Sequence, residues 1–312
     1  MDILIIFQTM VKLLLLLILG YALNKLHILD EATNRKLSDL IVNVSTPMLI
    51  ISSVSSADGG NRMAILGVLG GAFLLYIGLV LFGELAARLP IFDNKDRSEN
   101  ACMMVFSNSG FMGIPVMQSI YGLEAVFYNS IINFPYNIFI YSYAVLRLSS
   151  GQNSEDGKRK LNFRAMLTPG LIMAMAALII FLTGIRLPSM ILDVCDMVGS
   201  MTSPLSMLVL GSTIALYPLK ESLTDGKCYL FSCFRLIIIP LIALGFCRML
   251  GIDDFYTGIV TLSCAMPVGS MVLMMANRFG GNTERISRTI LVTTLLSVIT
   301  IPLIATILTL TQ

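Results

Sequence analysis

Long apolar runs, separated by short polar stretches, divide the chain into segments of similar length. Each run is close to the roughly 20 residues that a helix needs to cross a bilayer. The pattern therefore predicts an all-α membrane protein with ten transmembrane helices. The predicted helices cover residues 3–24, 37–56, 63–88, 99–121, 124–148, 165–185, 192–217, 227–249, 254–277 and 284–310.

Two of these segments, predicted helices 4 and 9, are interrupted near their middles by glycine, proline and small polar residues. The interruptions run from Ser107 to Pro115 and from Ser263 to Ser270. Unwound backbone at mid-depth of a bilayer is tolerated only where it is buried in protein or lines a watery cavity. One interruption alone is compatible with a proline kink, but one in each half is typical of secondary transporters with a midplane site. We therefore expect Pro115 and Pro267 to lie close together, with non-helical backbone at both.

The longest hydrophilic stretch divides five predicted helices from five. It gives a first repeat (1–148), a linker (149–164) and a second repeat (165–312). Because each repeat has an odd number of helices, the second must enter the membrane in the opposite orientation. The halves also show a weak sequence similarity, between Ser45-Thr-Pro47 in helix 2 and Thr202-Ser-Pro204 in helix 7. We predict a 5+5 inverted repeat in which the broken helices 4 and 9 cross.

Composition and charge agree with a membrane location. Of 312 residues 56% are hydrophobic and 13% are charged, against about 25% charged residues in a soluble domain. Sixteen of the 21 Lys and Arg residues flank alternate helix ends, and three (Arg62, Arg186 and Arg248) flank the others. The positive-inside rule then predicts a multi-pass protein of the cell (plasma or inner) membrane with both termini extracytoplasmic. The basic residues are accounted for by topology, so nucleic acid is not an expected partner.

The distribution of reactive side chains excludes several kinds of function. All 19 acidic residues fall in predicted loops or near helix ends, which argues against a proton relay or an acidic cation site at the bilayer centre. The six cysteines show no paired metal spacing, so no cofactor or metal is predicted. An embedded enzyme would need a central nucleophile, base or metal cluster, and a sensor would need a larger soluble domain than residues 149–164 supply.

Neutral polar residues remain at mid-depth and suit a small organic anion. Asn amides can donate hydrogen bonds to a carboxylate, and the half-helix N-termini expected at Gly113–Pro115 and Pro267–Gly269 add a positive field. Thr202 and Ser206 are instead expected to bond their own or a neighbouring helix. The predicted substrate-binding residues are Asn43, Asn108, Ser109, Gly110, Gly113, Pro115, Asn133, Asn137, Pro267, Gly269 and Ser270.

Two basic residues, Lys12 and Arg235, lie within predicted helices. Long basic side chains usually extend to the membrane interface, and we expect this of both. Arg235, in predicted helix 8, could alternatively reach an anion from the cytoplasmic side.

The helix-4 motif resembles that of the auxin efflux carrier family of plants and its bacterial malate or malonate permease-like members. It reads Asn108-Ser-Gly-Phe-Met-Gly-Ile-Pro115, followed by Val116-Met-Gln-Ser-Ile-Tyr121-Gly122. The family pattern has an Asn, a crossing proline in Gly-Ile-Pro seven residues later, and a Tyr-Gly end. Further similar segments are Gly20-Tyr21, Pro47-Met-Leu49, Ala265-Met-Pro267-Val-Gly269, Ala276-Asn277 and Ile301-Pro302. One departure is Thr168-Pro169-Gly170, where many relatives carry Asn-Pro.

The resemblance implies a fold similar to those of bile-acid symporters and sodium–proton antiporters, with scaffold helices 1, 2, 6 and 7 and core helices 3–5 and 8–10. It favours a secondary transporter, a permease or efflux carrier, that moves small organic anions (mono- or dicarboxylates) by elevator-type alternating access. A sodium-coupled organic-anion symporter is the alternative. The expected partners are the anion and the lipid bilayer, and a homodimer through the scaffold helices is one compatible assembly.

Overall fold

The computed structural model describes residues 3–54, 62–149, 169–185, 187–216, 223–279 and 281–311. These residues are almost entirely helical, and helix occupies each of the ten predicted apolar segments. Within the same ranges, the β structure is one isolated antiparallel bridge between Ser107 and Val268. The predicted linker, residues 149–164, lies outside the described residues except for Ser149 at a helix end.

In the described ranges, ten helical stretches follow one another along the chain. They are α1 (Ile3–Lys25), α2 (31–54), α3 (Arg62–Ala86), α4 (97–121, broken), α5 (123–149), α6 (Pro169–Thr183), α7 (Ser189–Ile214), α8 (Gly226–Met249), α9 (254–279, broken) and α10 (Thr283–Leu310). Among the described residues, four helices are long and apolar enough to cross a membrane by length and composition: Ile65–Ala86, Ser189–Ile214, Gly226–Met249 and Thr283–Leu310. The fold is thus all-helical with several apolar helices, as expected of a membrane protein.

Helix α2 begins earlier than the apolar pattern predicted, at Glu31 instead of residue 37. The cause is an N-terminal cap. The Asp30 carboxylate accepts a hydrogen bond of 2.7 Å from the Thr33 N–H, and such a cap stabilises the polar first turns that precede the apolar segment. Hydrogen bonding by the Thr33 side chain, and then by its backbone N–H, lowers the pKa of Asp30.

Four π-helical turns interrupt the regular helices of the described ranges. They are Ile41–Ser45 in α2, Ser109–Gly113 in α4, Ile140–Ala144 in α5 and Phe234–Ile238 in α8. A π turn adds a residue to a helical turn and redirects the side chains around it, and such turns are frequent at functional sites. Two of the four, in α4 and α8, carry residues that meet at the crossing described below.

Helices α1, α2, α6 and α7 pack against one another. Helix α1 runs along the second part of α7, and the second part of α2 lies between α6 and the first part of α7. The contact between α1 and α7 is close enough to involve backbone: a Cβ added to Gly211 would lie 1.9 Å from the Leu17 carbonyl oxygen. Small residues at such a contact allow helices in a membrane to approach closely. We call α1, α2, α6 and α7 the first packing group.

The remaining helices form a second packing group. Helix α3 contacts the first half of α4 and α5, while α8 contacts α10 and the first half of α9. Helix α5 contacts α9 and joins these two sets. The Lys227 ammonium at the start of α8 lies 2.6 Å from the Asp93 carboxylate in the α3–α4 connection, and this hydrogen bond lowers the pKa of Asp93.

Candidate functional site

Helices α4 and α9 are each divided by a short non-helical segment, as the sequence predicted for these two helices. In both cases the helix stops at a buried position and resumes after three or four residues. The parts are α4a (Arg97–Val105), a gap at 106–108, α4b (109–121), α9a (Asp254–Ala265), a gap at 266–269 and α9b (Ser270–Phe279).

The two gaps cross and hydrogen-bond to each other in antiparallel fashion. The Asn108 N–H donates to the Pro267 carbonyl at 2.8 Å, and the Gly269 N–H donates to the Phe106 carbonyl at 3.0 Å. These bonds satisfy backbone groups that lost their helical partners, which is required of buried backbone. We call the residues of both gaps and their immediate polar neighbours the crossing.

The structure corrects the predicted position of the break in α4. Pro115 lies in the first turn of the α-helix Ile114–Tyr121, and its backbone is helical. Proline suits this place because the first N–H groups of a helix have no intrahelical acceptor. The non-helical backbone instead ends at Asn108, whose φ and ψ are −84° and 49°. In α9 the break does contain Pro267, as predicted.

Glycines permit the close approach of the two gaps. A Cβ added to Gly269 would lie 2.7 Å from the Ser107 carbonyl oxygen, so no larger residue fits without displacing the backbone. A Cβ on Gly113 would meet the Met266 side chain at 3.4 Å. Gly110, by contrast, is exposed and faces open space. The crossing is therefore tightly packed around Gly269 and open at the start of α4b.

A polar network connects the crossing to α5. The Ser109 hydroxyl donates to Asn133 Oδ1 at 2.6 Å, and Asn129 Nδ2 donates to the Ser109 carbonyl at 3.3 Å. The Ser263 hydroxyl donates in turn to Asn129 Oδ1 at 3.3 Å. Asn129, fully buried, thus contacts both broken helices, although it was not among the predicted binding residues.

The predicted pair on α5 is only partly at the crossing. Asn133 accepts the Ser109 hydrogen bond, while its Nδ2 donates to the Asn129 carbonyl at 2.9 Å. Asn137 Nδ2 donates to the Asn133 carbonyl at 2.8 Å, one turn further along. Each of the two amide nitrogens therefore already donates one hydrogen bond to backbone.

Asn108 has a different environment. Its side chain is 3% exposed, and Nδ2 has no hydrogen-bond partner among the described residues. A buried amide donor without an acceptor is destabilising by about 1–3 kcal/mol, and a bound ligand that accepts from it is one explanation for such a group in a native structure. Ser270, the first residue of α9b, is half-buried on the other side of the crossing.

The structure also corrects the prediction for Arg235. Its side chain does not extend to an interface but is 1% exposed, and Nη1 donates to the Cys264 carbonyl at 2.7 Å. The guanidinium also lies within electrostatic range of the hydroxyls of Tyr76 and Tyr136. Tyr136 Oη would lie 3.2 Å from a Cβ added to Gly269. The Tyr136 hydroxyl, and with it the Arg235 guanidinium, therefore lies beside the crossing.

The structure places two other residues of the sequence analysis, Asn43 and Lys12, at exposed positions. Asn43, a predicted binding residue, is exposed in the π turn of α2, and this turn packs on α6 and α7, within the first packing group. The amide is therefore not brought to the crossing. Lys12 is exposed on α1, as expected of a basic residue that extends away from the protein interior.

The architecture defines a class: an all-helical membrane protein with two broken helices whose gaps cross. The profile of a family described as "Membrane transport protein" matches residues 5–305. The chain therefore belongs to this family, the auxin efflux carrier-like membrane transport proteins, as the helix-4 motif predicted. It is a membrane transporter.

Archaeal relatives support this assignment over nearly the full length. An uncharacterized transporter of Methanothermobacter thermautotrophicus is 28% identical over 308 residues, covering 95% of this chain and 96% of the relative. An uncharacterized transporter of Methanocaldococcus jannaschii is 26% identical over 301 residues, covering 93% and 94%.

Proposed function

We propose that this protein is a secondary transporter that binds a small organic anion, a mono- or dicarboxylate, at the crossing of α4 and α9. One observation carries the proposal: Asn108 presents a buried amide donor without an acceptor at the crossing, beside which Arg235 is buried as a cation. A carboxylate would accept from the amide and be stabilised by the guanidinium.

The charges around the crossing favour an anion over a cation. The polar groups contributed by α4, α5 and α9 are amides, hydroxyls and backbone, and the guanidinium of Arg235 is positive. The starts of α4b and α9b bring helix N-termini to the crossing, but the C-termini of α4a and α9a offset their partial charge, so the guanidinium is the net positive charge there. Among the described residues, the electrostatic partners of Arg235 include no carboxylate.

The packing supports an elevator mechanism within a ten-helix, 5+5 inverted repeat. The first packing group corresponds to the predicted scaffold and the second to the predicted core, and both broken helices belong to the second. Contacts between the groups are made by α1 with α10 and α4b, by the second part of α7 with α4b, and by α5 with α2 and α6. We propose that the core carries the anion past the scaffold along these contacts.

A sodium-coupled symporter is the second candidate. The side-chain oxygens of Ser109, Asn129, Asn133 and Ser263 form one connected group at the crossing, and neutral oxygens of this kind can coordinate hard cations. The nearby positive charge of Arg235 opposes a cation there unless the anion binds with it.

Uptake by purified protein in proteoliposomes tests the proposal. Labelled C2–C6 mono- and dicarboxylates would be supplied with and without a sodium gradient, and with and without an imposed pH gradient. We expect saturable uptake of at least one carboxylate without sodium, absent from protein-free liposomes. Strict dependence on sodium would favour the symporter, and no uptake of any carboxylate would overturn the proposal.

A further inference from the structure

We infer that Arg235 is the fixed countercharge of the transported anion, so that the crossing selects a singly charged anion and the loaded core is electrically neutral. The inference rests on the proposed function and narrows it, because the proposal above leaves mono- and dicarboxylates open. It makes Arg235 a specificity-determining residue that acts through its charge.

The burial of Arg235 is the first step of the argument. The side chain is 1% exposed, one donor is used by the Cys264 carbonyl, and Nε has no partner among the described residues. An arginine remains protonated in proteins even when it is buried. The guanidinium is therefore a permanent positive charge within the second packing group, and no carboxylate of the described residues accompanies it, as one usually accompanies a buried charge.

The backbone does not neutralise this charge. Each helix end is equivalent to about half an elementary charge, positive at the N-terminus and negative at the C-terminus. Four such ends meet at the crossing, the C-termini of α4a and α9a and the N-termini of α4b and α9b. Their contributions cancel in pairs, so the single positive charge of Arg235 remains.

The remaining charge determines which ligand suits the core. Empty, the crossing carries one positive charge; with a monoanion it is neutral, and with a dianion it carries one negative charge. An uncompensated charge is unfavourable in a low-dielectric environment, so the neutral, monoanion-loaded core is the easiest to move through the bilayer. A dicarboxylate would then be carried in its half-protonated form.

This charge balance predicts how each step responds to membrane voltage. In exchange of one labelled anion for the same unlabelled anion, only the loaded core moves between its two positions. Exchange of a monoanion should therefore be insensitive to voltage. Exchange of a dianion moves a net negative charge across the membrane, so its rate should change with voltage. Moving one elementary charge across the whole membrane field changes the free energy by about 2.3 kcal/mol per 100 mV. This is about a fiftyfold change in the ratio of the populations of the two positions of the core.

The test compares butyrate with succinate, which have the same number of carbon atoms. Homoexchange of each would be measured in proteoliposomes at pH 8, at zero voltage and with about 100 mV of either sign set by potassium and valinomycin. We expect wild-type butyrate exchange to be unchanged by voltage and faster than succinate exchange. Wild-type exchange that prefers the dianion, or butyrate exchange that depends on voltage, would overturn the inference.

Substitutions then assign the effect to Arg235. We expect butyrate exchange by Arg235→Gln to be several-fold slower with the voltage applied than at zero voltage. Arg235→Lys keeps the charge, so its butyrate exchange should be insensitive to voltage, as in wild type. A merely structural role would lower the rate or the melting temperature in both variants without changing the voltage response. If Arg235→Gln matches wild type in voltage response and affinity, the inference is wrong although the proposed function stands. If wild type exchanges neither probe nor any C2–C6 carboxylate, the proposed function itself fails.

Discussion

The hydroxyl oxygens of Ser45 and Thr202 lie 2.8 Å apart, and both side chains are buried. The two residues have matching places in the sequence, each two positions before a proline, Pro47 or Pro204. In an inverted repeat, equivalent residues near the pseudo-two-fold axis face each other, so this contact is the one that the proposed repeat requires. It joins α2 to α7 within the first packing group.

The first prediction concerns this pair. Replacing one hydroxyl leaves the other buried without its partner, so Ser45→Ala and Thr202→Ala should each lower stability, and the double variant should lose less than the sum. We expect a coupling energy of about 0.6 kcal/mol, as typical for hydrogen bonds between membrane helices. Unfolding in detergent micelles measures it. Ser53→Ala is the control, because the Ser53 hydroxyl donates to the Ile50 carbonyl in its own helix. The losses of stability caused by Ser53→Ala and Thr202→Ala should therefore be additive.

The second prediction concerns the contact between α1 and α7. A Cβ on Gly211 would lie 1.9 Å from the Leu17 carbonyl oxygen, and one on Gly20 would lie 2.2 Å from the Leu208 carbonyl oxygen. Because the obstacles are backbone atoms, Gly211→Ala should destabilise at or above the upper end of the usual overpacking range of about 1–3 kcal/mol. Gly78→Ala is the matched control, since nothing lies within 4 Å of its added Cβ. Its melting temperature should equal or exceed that of wild type; equal loss in both variants would contradict the argument.

The sequence located the helices and the two broken ones, but not the place of the break in α4. Apolar run length determines where helices can form, and glycine and proline mark where they are weak. The sequence predicts an interruption from Ser107 to Pro115 with non-helical backbone at Pro115, yet proline is compatible with the first turn of a helix. What stops α4a near Asn108 is the tertiary bond to the Pro267 carbonyl, and no local pattern encodes that contact.

The same limit applies to Arg235, whose environment the sequence predicted wrongly. The sequence places Arg235 in an apolar run, where extension to the interface is the usual outcome. Its actual acceptor, the Cys264 carbonyl, exists only because α9a ends beside α8. Asn43 is predicted to bind the anion because it is polar in an apolar helix, and the structure places it, exposed, in the π turn of α2.

The third prediction concerns topology. The asymmetry of basic residues predicts that the α3–α4 connection is cytoplasmic and the α8–α9 connection extracytoplasmic, with both termini outside. Asn94 is exposed in the first connection, and Met249 is exposed at the end of α8, next to the second. In a background with the exposed Cys233 replaced by serine, a membrane-impermeant maleimide added to intact cells should label Met249→Cys and not Asn94→Cys. The reverse pattern would contradict the assigned orientation.

The fourth prediction concerns pH. The groups that line the crossing are amides, hydroxyls and an arginine, none of which titrates between about pH 5 and 8. Glu84 is engaged by Arg147 at 2.7 Å, and His27 is exposed in the loop after α1. Competition by an alkanesulfonate, which keeps its charge throughout, should therefore vary little over this range. A steep dependence that disappears in Glu84→Gln would identify a proton site at that carboxylate instead.

The fifth prediction concerns Asn108 and the anion. Because its Nδ2 has no partner in the described protein, Asn108→Ala should leave the melting temperature nearly unchanged. It should nevertheless remove one hydrogen bond to a charged ligand, which is worth about 1.5–3 kcal/mol, or roughly a ten- to hundredfold loss of affinity. Asn108→Asp should be worse, because it places a carboxylate beside the bound anion. Equilibrium binding of the carboxylate that the wild type transports measures both.

Asn24→Ala is the matched control for Asn108→Ala. The Asn24 side chain is buried, and Nδ2 donates to the Leu29 carbonyl at 2.9 Å and to the Ser212 hydroxyl at 3.3 Å, within the first packing group. Its removal should lower the melting temperature and leave the affinity unchanged, the opposite of what we expect at Asn108. If Asn108→Ala binds the anion as tightly as wild type, the anion lies elsewhere. The half-buried start of α9b at Ser270 then becomes the next position to test, because the amides of Asn133 and Asn137 already donate to backbone.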